Sequence, residues 1–445
     1  MVRMQTGKNP YESATICLNP KMKHTDLSII IPVLNDGTTI AVILDIIKEL
    51  FEEGTFTHEV IVVDGGSTDN TFQIAKDKGA KVFIQKQAGY GSALKEAIRL
   101  ARGQYIITMD ADFSHNPYIV KRLFSQRHSA HIVIASRYIR KGLANTSFFR
   151  RILSVALNRF LSFGLSLPIR DISSGFRLYN AEVFKEIDFA ERDFSVLSEI
   201  LVQAYMNGFQ VKEIPFHYQP RYKGRSPAEI IKFGLGFLRV FLRNWKIRNS
   251  ISSSDYDERA FYSRIPMQRY WQRKRYKIIC SLIGGGYQKN ILDAGCGSSK
   301  ILQAFSQTIG LDINFKILRY NYPLGNPLVN ADIRNLCFKD GCFEVLICSE
   351  VIEHVEQDER IFSEFKRVLK DNGILILGTP DYSKRSWIVI EWLYSKLIPG
   401  GYSDKHISHY SRAALVAKIE KLGFKLENYS YILGAELICK FTKVS

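Results

Sequence analysis

The chain has 445 residues, which is enough for two or three domains of average size. Its formal net charge of +17 is unusually positive and predicts an anionic partner, such as nucleic acid, an anionic membrane or a phosphorylated substrate. Residues 1–25 are polar and basic without an apolar run, so we predict a flexible tail and not a secretory signal of the usual kind. Because no stretch approaches the ~18 uncharged apolar residues of a spanning helix, we expect a cytoplasmic protein that can lie on a membrane without crossing it.

Residues 26–248 contain a first series of apolar, β-rich runs that alternate with helical stretches. Strands are predicted at Leu27–Val33, His58–Asp64, Lys81–Gln85 and Gln104–Asp110, with helices between them. This alternation is the pattern of a doubly wound α/β domain built on a parallel sheet.

Acidic residues follow three of these strands. Asn35 and Asp36 follow the first strand, Asp64 ends the second, and Asp110 and Asp112 come at the end of the fourth. Ligands of open α/β sheets bind at the carboxyl ends of the strands, so these groups are expected on one edge of the sheet. Crowded carboxylates repel each other unless a cation lies between them, and their hard oxygens suit Mg²⁺ or Mn²⁺. The pattern therefore predicts a divalent metal site suited to a diphosphate.

The motifs of this half resemble those of family 2 glycosyltransferases of the GT-A fold, most closely the polyprenol-phosphate (dolichol-phosphate) mannosyl- and glucosyltransferases. The resemblance rests on the stretches IIPVLND, VVDGGSTDNT, KQAGYGSALKEAI, MDADFSHNP, ASRY and DISSGFRLY. It implies a nucleotide-sugar donor, GDP-mannose or UDP-glucose, held by these residues: Pro32, Asn35, Asp36, Asp64, Gly91 and Asp110. It also implies that Asp110 and Asp112 bind the metal. Two positions depart from the family pattern, since Gly65 replaces a second Asp and Ser114 replaces a longer polar metal contact.

The same resemblance implies the acceptor side of the site. Four arginines would face the acceptor phosphate: Arg137, Arg150, Arg151 and Arg177. A phosphate monoester is already an anion at neutral pH, so a polyprenyl phosphate acceptor needs arginines and no general base. We assign Asp112, Arg137 and Asp171 to the catalytic centre and expect in-line attack that inverts the donor's anomeric configuration. A merely solvated basic face is the alternative for the arginine-rich tract.

A basic amphipathic helix is predicted at Ile230–Trp245, in the stretch IIKFGLGFLRVFLRNW. Three cations of the stretch, Lys232, Arg239 and Arg243, lie on one helical face. Lys246, directly after the stretch, lies on the same face. The remaining surface is Phe, Leu, Val and Trp, which is typical of an interfacial helix on anionic lipid. Phe148–Leu167 is a second candidate, and packing of either helix on its own domain is the alternative. We predict a peripheral enzyme on the cytoplasmic face of a membrane.

The serine-rich residues 249–260 predict a linker, and a second strand–helix series occupies residues 261–445. Its predicted strands are Asn290–Asp293, Thr308–Asp312, Pro327–Asp332, Phe343–Ser349 and Gly373–Thr379. Gly295 and Gly297 follow the first of these strands and let a ligand approach the backbone. Asp312 ends the next strand, where an acid can accept both ribose hydroxyls. The pattern predicts a Rossmann-like nucleotide-binding domain.

With the stretches FKDGCFEVLICSEVIEHV, FKRVLKDNGILILGTPD and HISHYSRAALVAKIEKLGF, this half resembles class I methyltransferases. The resemblance implies S-adenosyl-L-methionine as the cofactor, bound by Asp293, Gly295, Gly297, Asp312, Asp332 and Glu350. An NAD-binding domain is the rival, but Lys300 occupies the place of its third glycine. Glu353 and His354 are candidates for a base or metal ligand, although we favour the interpretation that they cap and orient a short helix.

We therefore expect a bifunctional enzyme that transfers a hexose, with mannose as the first candidate, to a polyprenyl phosphate and methylates a related glycan or lipid. Two alternatives stay open. A glycosyltransferase of surface polysaccharide synthesis would act on a sugar hydroxyl, with Asp171 as the base. A basic nucleic-acid-binding protein with vestigial sites would explain the charge, but no recognised nucleic-acid motif occurs, so no nucleic acid partner is expected.

Overall fold

The structure, a computed structural model, describes residues 25–52, 54, 56–219, 230–284, 289–397 and 406–444, with the backbone alone at 230–237 and 394–397. The predicted tail therefore lies outside the described residues except for Thr25. The chain divides into two compact units, Met1–Tyr205 with Phe209–Trp245, and Met206–Gly208 with Lys246–Ser445. Residues 249–260, predicted as a linker, cluster with the second unit.

Residues 25–248 contain the following elements in chain order: β1 (Thr25–Val33), α1 (Gly37–Glu52), β2 (His58–Asp64), α2 (Thr71–Asp77), β3 (Lys81–Ile84), α3 (Tyr90–Leu100), β4 (Gly103–Thr108), α4 (Ile119–Ser125), β5 (Ile132–Ser136), β6 (Leu143–Ala144), α5 (Phe148–Gly164), β7 (Arg177–Asn180), α6 (Val183–Glu186), α7 (Val196–Met206), β8 (Val211–Pro215), β9 (His217–Tyr218) and α8 (Ile230–Arg248).

The main sheet of this half has the strand order β3-β2-β1-β4-β7-β5-β8. Strands β1 to β4 are parallel, as predicted, but β7 runs antiparallel to both β4 and β5. The sheet is therefore mixed, which corrects the expectation of a wholly parallel sheet. Apolar side chains are buried along β1 and β2, as at Ile30 and Val62, which explains why these strands can be predicted from apolar runs in the sequence.

The second half contains these elements: α9 (Tyr256–Phe261), α10 (Pro266–Ile283), β10 (Ile291–Ala294), α11 (Ile301–Ala304), β11 (Thr308–Asp312), α12 (Phe315–Asn321), β12 (Leu328–Asn330), β13 (Phe343–Ser349), α13 (Glu359–Val368), β14 (Leu369–Pro380), α14 (Arg385–Leu397), α15 (Arg412–Lys421), β15 (Phe424–Ile432) and β16 (Glu436–Lys443). Short 3₁₀ turns occur at Tyr322–Leu324 and Ile352–His354.

The second sheet has the order β12-β11-β10-β13-β14-β16-β15. Strands β10 to β14 are parallel, and β16 lies antiparallel between β14 and β15. Both sheets thus carry their glycine and acid loops at the carboxyl ends of central parallel strands, where ligands of such sheets bind.

Two further observations concern membrane-spanning helices and the state of the cysteines. Among the described helices, none combines the length and the apolar character needed to cross a membrane. The six cysteines within the described residues are all free thiols.

Candidate active sites

The loops that follow β1 and β2 are tied together at the edge of the first sheet. The Asn35 backbone N–H donates to Ser67 Oγ over 2.9 Å, and the Thr68 N–H donates to Asn35 Oδ1 over 2.8 Å. The Asp36 N–H donates to Thr71 Oγ1 over 2.9 Å. Asn35 has a φ of 58°, a left-handed conformation that asparagine tolerates. Asn35 and Asp36 therefore shape the predicted nucleotide pocket through the backbone of both loops, and Pro32 lies half-buried in β1 beside them.

Asp64 closes β2 and organises the turn after it. One carboxylate oxygen accepts the N–H groups of Gly66 over 3.0 Å and of Ser67 over 2.7 Å. The side chain is almost completely buried. Asp64 thus fixes the loop that carries Gly65, and its assigned contact with the nucleotide stays a prediction.

The loop after β4 carries the two acids that are predicted to bind metal. Asp112 Oδ1 accepts the Ser114 N–H over 3.0 Å, and the Asp110 N–H donates to His115 Nδ1 over 2.9 Å. That bond leaves the proton of neutral His115 on Nε2, which lies 3.7 Å from Asp110 Oδ2. Burial lowers the pKa of His115, so the ring is neutral at pH 7. His115 is a supporting residue that the sequence analysis missed, although it stands within the quoted stretch MDADFSHNP.

The donor set around this loop fits a hard divalent cation. Besides the carboxylates of Asp110 and Asp112, two buried hydroxyls have no hydrogen-bond partner among the described residues: those of Tyr90 and Ser114. The Tyr90 ring stacks on Phe194 with centroids 4.3 Å apart, which holds its hydroxyl in place. Unpaired buried hydroxyls are costly, and a bound ion with its ligands would satisfy them. Oxygen-only groups of this kind are what Mg²⁺ and Mn²⁺ prefer.

Arg137 is held rigidly at the end of β5 by Asp171. Its Nε and Nη2 donate to the two oxygens of Asp171 over 2.8 and 2.7 Å, and its backbone N–H donates over 2.8 Å. Burial disfavours the charge of Arg137, but the Asp171 carboxylate outweighs burial and holds the pKa of the guanidinium above its ordinary value. Asp171 itself is fully buried. It is therefore an anchor for Arg137, which corrects its predicted assignment as a catalytic group and as a possible general base.

A second layer extends this anchor to α5. Ser173 Oγ accepts from Arg137 Nη2 over 2.7 Å and from Asn158 Nδ2 of α5 over 2.9 Å. The Ser173 N–H in turn donates to Asn158 Oδ1 over 3.0 Å. Ser173 and the buried Asn158 of α5 thus fix Arg137 in place. Arg150 and Arg151 lie exposed on the same helix.

Two residues that were predicted to contact ligands, Arg177 and Gly91, have structural roles instead. Arg177 is fully buried and donates to three backbone carbonyl oxygens: those of Ile172, Ser174 and Leu197. Its guanidinium faces main chain, so the assignment to the acceptor phosphate is wrong. Gly91 donates its N–H to Arg192 O over 2.8 Å, and a Cβ there would lie 2.2 Å from Glu191 O. This glycine permits close packing of two segments and does not contact the nucleotide through its amide.

The basic face predicted on α8 is only partly available to a membrane. Arg243 forms ion pairs with Glu191 over 3.0 Å and with Glu199 over 2.5 Å. Arg239 is exposed, whereas the side chain of Lys232 lies outside the described residues. The alternative of internal packing therefore holds for Arg243.

A cavity of about 980 Å³ in the second half contains the predicted cofactor residues. All six line it or border it at the carboxyl ends of β10, β11, β12 and β13: Asp293, Gly295, Gly297, Asp312, Asp332 and Glu350. Gly295 and Gly297 have φ values of 78° and 51°, and a Cβ on Gly295 would lie 2.3 Å from Val351. The glycines are needed for both the turn and the space.

Asp312 stands at the end of β11 and joins two loops. Its oxygens accept the N–H of Gly297 over 3.1 Å and that of Asn314 over 2.8 Å. Asp332 forms an ion pair with Arg334 over 2.5 Å, and its assigned contact with the cofactor stays a prediction. Buried atoms without a described partner, Ser349 Oγ and Glu350 Oε1, lie on the same cavity wall. A polar, cationic nucleoside such as S-adenosylmethionine fits this donor and acceptor set.

Asp257 is a cavity residue that the sequence analysis missed. It comes from the serine-rich segment, on α9, and its Oδ2 accepts the Ser298 N–H over 3.1 Å. Its own N–H donates to Ser298 Oγ over 2.9 Å. A Cβ on Gly297 would lie 2.4 Å from the same carboxylate. The serine-rich segment 249–260 therefore contributes to the wall of this cavity. Its polar composition predicted a linker and did not indicate this role.

Cofactor affinity is expected to rise with pH. Burial raises the pKa of Asp293 to about 7, and burial also raises the pKa values of Asp257 and Asp312. The sulfonium and ammonium groups of S-adenosylmethionine favour ionised carboxylates, so binding releases the proton that Asp293 holds at lower pH. Calorimetry between about pH 6 and pH 8 should show roughly a tenfold gain in affinity, with proton release at the lower pH. Asp293→Asn should flatten the profile, and an unchanged slope in that variant would contradict the assignment.

Of the two acids of the SEVIEHV stretch, Glu350 is partly buried in the cavity wall and Glu353 is fully buried. Glu350 has a φ of 59° and pairs with Arg275 over 3.1 Å, and Arg275 also binds Glu436 over 2.6 Å. Glu353 is fully buried, its carboxylate accepts from Thr379 over 3.1 Å, and burial raises its pKa to about 8. A left-handed non-glycine residue such as Glu350 is typical of a functional site.

Glu353 and His354 also meet a residue from a distant loop. Ligand atoms of Glu353, His354 and His406 all lie within 4.8 Å of one another. The Glu353 carbonyl accepts the N–H groups of Ile407 over 2.7 Å and Ser408 over 3.0 Å, which attaches that loop to the 3₁₀ turn. This attachment agrees with the orienting role favoured above, and the role of Glu353 and His354 as base or metal ligands stays a prediction.

Comparison with known proteins gives a separate match for each half. Residues 28–188 match the model of the glycosyl transferase family 2, and residues 292–377 match a methyltransferase domain. Among curated relatives, glycosyltransferase AglJ of Haloferax volcanii is 29% identical over 219 residues, which are 48% of this chain and 71% of the relative. Dolichyl-phosphate hexose transferase of the same organism is 26% identical over 196 residues, which are 44% of this chain and 84% of the relative.

Solved structures give matches to half of the chain. One is the crystal structure of glucosyl-3-phosphoglycerate synthase from Mycobacterium tuberculosis in complex with Mn²⁺, uridine diphosphate and phosphoglyceric acid. Its sequence is 20% identical to this chain over the matched part, and the TM-score of the two structures is 0.42. The match covers 50% of this chain and 78% of that protein.

Proposed function

Because the chain carries a family 2 glycosyltransferase domain followed by a methyltransferase domain, we propose that it transfers a hexose to a polyprenyl phosphate and methylates a related glycan or lipid. The proposed donor is GDP-mannose or UDP-glucose, with mannose as the first candidate for the hexose. The name of one relative, a dolichyl-phosphate hexose transferase, supports the acceptor class. The absence of a nucleic acid partner stays a prediction.

The observation that carries the proposal is the pairing of Arg137 with Asp171. A sugar hydroxyl acceptor needs a base, and both oxygens of Asp171 are already engaged by Arg137. A phosphate acceptor needs a fixed cation, which is what the anchored guanidinium offers. This geometry favours a polyprenyl phosphate over the sugar hydroxyl of surface polysaccharide synthesis.

In the proposed reaction, Asp110 and Asp112 would hold a divalent ion, which supplies charge neutralisation for the departing nucleoside diphosphate. Arg137 would orient the acceptor phosphate, whose oxygen attacks the anomeric carbon as the bond to the diphosphate breaks. His115 remains neutral and keeps the Asp110 backbone in place. One displacement of this kind inverts the anomeric configuration.

A peripheral position on the cytoplasmic face of a membrane is part of the proposal. On α5, Phe148 is 79% exposed and Phe149 is 70% exposed, beside the exposed Arg150 and Arg151. Exposed aromatic side chains interspersed with arginines suit an anionic lipid surface. Of the two helices predicted to contact lipid, α5 has the stronger support, because Arg243 of α8 is paired within its own domain.

The test is a transfer assay on the full-length protein with polyprenyl phosphate, a panel of nucleotide sugars and Mg²⁺ or Mn²⁺, read by mass spectrometry. We expect a gain of one hexose on the polyprenyl phosphate and loss of the reaction in EDTA. Repeating the assay with S-adenosylmethionine tests the second activity, as a further gain of one methyl group on a glycan or lipid. Transfer to free sugar acceptors, with none to polyprenyl phosphate, would contradict the proposed acceptor.

A further inference from the structure

Helix α14 carries apolar side chains on both of its sides. Trp387 is buried and lines the cofactor cavity together with Ile390. Ile388 and Val389, which lie on other faces of the helix, are each 56% exposed. The helix also carries Arg385 and Glu391, but a surface helix normally keeps its apolar side chains on one face, so the outward ones of α14 require an explanation.

The exposed apolar surface continues around the mouth of the cavity. Ile265 and Met267, at the start of α10, are both exposed and line the cavity, as does Leu393 of α14. Ile407 is exposed next to His406, another cavity residue. We call the following side chains the apolar rim: Ile265, Met267, Ile388, Val389, Leu393 and Ile407.

Cations lie on the two helices that carry the apolar rim. No acidic residue occurs in the sequence between Glu258 and Asp293, a range that includes all of α10. The exposed bases on and just before α10 are Arg264, Arg269, Arg273, Lys274 and Lys277. Lys384 and Arg385 are exposed at the start of α14. Apolar side chains edged by cations are complementary to a bilayer that contains anionic lipid.

We propose that the apolar rim docks on anionic lipid, and that the methyl acceptor enters the cavity from the bilayer. This inference rests on the proposed methyltransferase activity and names its substrate class: an amphiphile whose apolar chain stays in the lipid while its polar head reaches the cavity. It adds a lipid contact to this half of the chain that is separate from the surface on α5. An acceptor free in water would have no need of an apolar entrance.

A matched pair of variants of the full-length protein tests the docking. Val389→Glu places a charge in the apolar rim, and Val444→Glu makes the same change at a site of similar exposure, 53%, outside it. Co-sedimentation is measured with vesicles of phosphatidylcholine, alone and mixed with phosphatidylglycerol. We expect Val389→Glu to lower partition to the anionic vesicles by about tenfold or more, because a buried apolar contact is replaced by a repelled charge. Val444→Glu should bind like the wild type.

Two further measurements distinguish a failure of the proposed methyltransferase activity from a failure of the proposed lipid docking. S-adenosylmethionine binding, measured by calorimetry, should be equal in both variants and the wild type, since neither site contacts the glycine turn. A wild type that binds no cofactor would overturn the proposed methyltransferase activity, while the vesicle comparison would still decide the docking. Equal sedimentation of the two variants would overturn the docking surface. A change of oligomeric state in Val389→Glu, seen by light scattering without a change in vesicle binding, would assign the apolar rim to self-association instead.

Discussion

Replacing Asp112 with alanine is expected to lower sugar transfer by about three orders of magnitude or more, because one of the two carboxylates assigned to the divalent ion is lost. The side chain is buried and accepts the backbone N–H of Ser114 in its loop. Asp112→Asn keeps an oxygen for that bond and removes the charge. Both variants should therefore be inactive, while Asp112→Asn should also melt at the wild-type temperature.

The control for this prediction is Asp45→Ala. Asp45 is an exposed carboxylate of the same half, paired with Lys78 over 2.6 Å, and its removal should leave transfer unchanged. Initial rates are compared at saturating Mn²⁺ and with EDTA. Substantial transfer by Asp112→Asn in EDTA would show that the reaction does not depend on this carboxylate or on a metal.

Asp312→Ala is expected to remove most S-adenosylmethionine binding and to leave sugar transfer intact. If Asp312 accepts both ribose hydroxyls, its loss costs about 1–3 kcal/mol for each, which is roughly a thirtyfold loss of affinity at the least. The side chain also accepts the N–H groups of Gly297 and Asn314, so the loop itself should loosen. Calorimetry on the full-length variant measures the loss.

Sugar-transfer kinetics on the same variant test whether the two activities are independent. No motif assigned to the nucleotide-sugar site lies on β11. Asp371→Ala, which removes a largely exposed carboxylate of the second half, is the matched control for binding. If Asp312→Ala stays folded and still loses sugar transfer, the two activities are coupled in a way that the separate motifs do not predict.

Three of the parallel strands could be predicted with accurate bounds. His58–Asp64, Thr308–Asp312 and Phe343–Ser349 agree residue for residue with β2, β11 and β13. Parallel strands buried on both faces appear in a sequence as continuous apolar runs, and the acids and glycines at their ends are local to them. The order of motifs along the chain was therefore sufficient to predict the family model that each half matches.

The antiparallel strands could not be predicted in the same way. β7 is the four-residue segment Arg177–Asn180, which has no long apolar run, and its pairing with β4 joins positions far apart in the sequence. Strand pairing of this kind depends on partners that a local pattern does not contain. The mixed character of both sheets thus follows from tertiary contacts.

The sequence by itself determined which chemical groups are available, and the tertiary structure decided what each group faces. Arg137 and Arg177 are equivalent as residue types, yet one meets a carboxylate at the sheet edge and the other meets three main-chain carbonyls. Asp257 lies in a polar, serine-rich stretch, and only folding brings it to Ser298 and the glycine turn. The physical reason is that a charged side chain takes its role from its hydrogen-bond partners, and in a folded chain these partners are set by packing between distant segments.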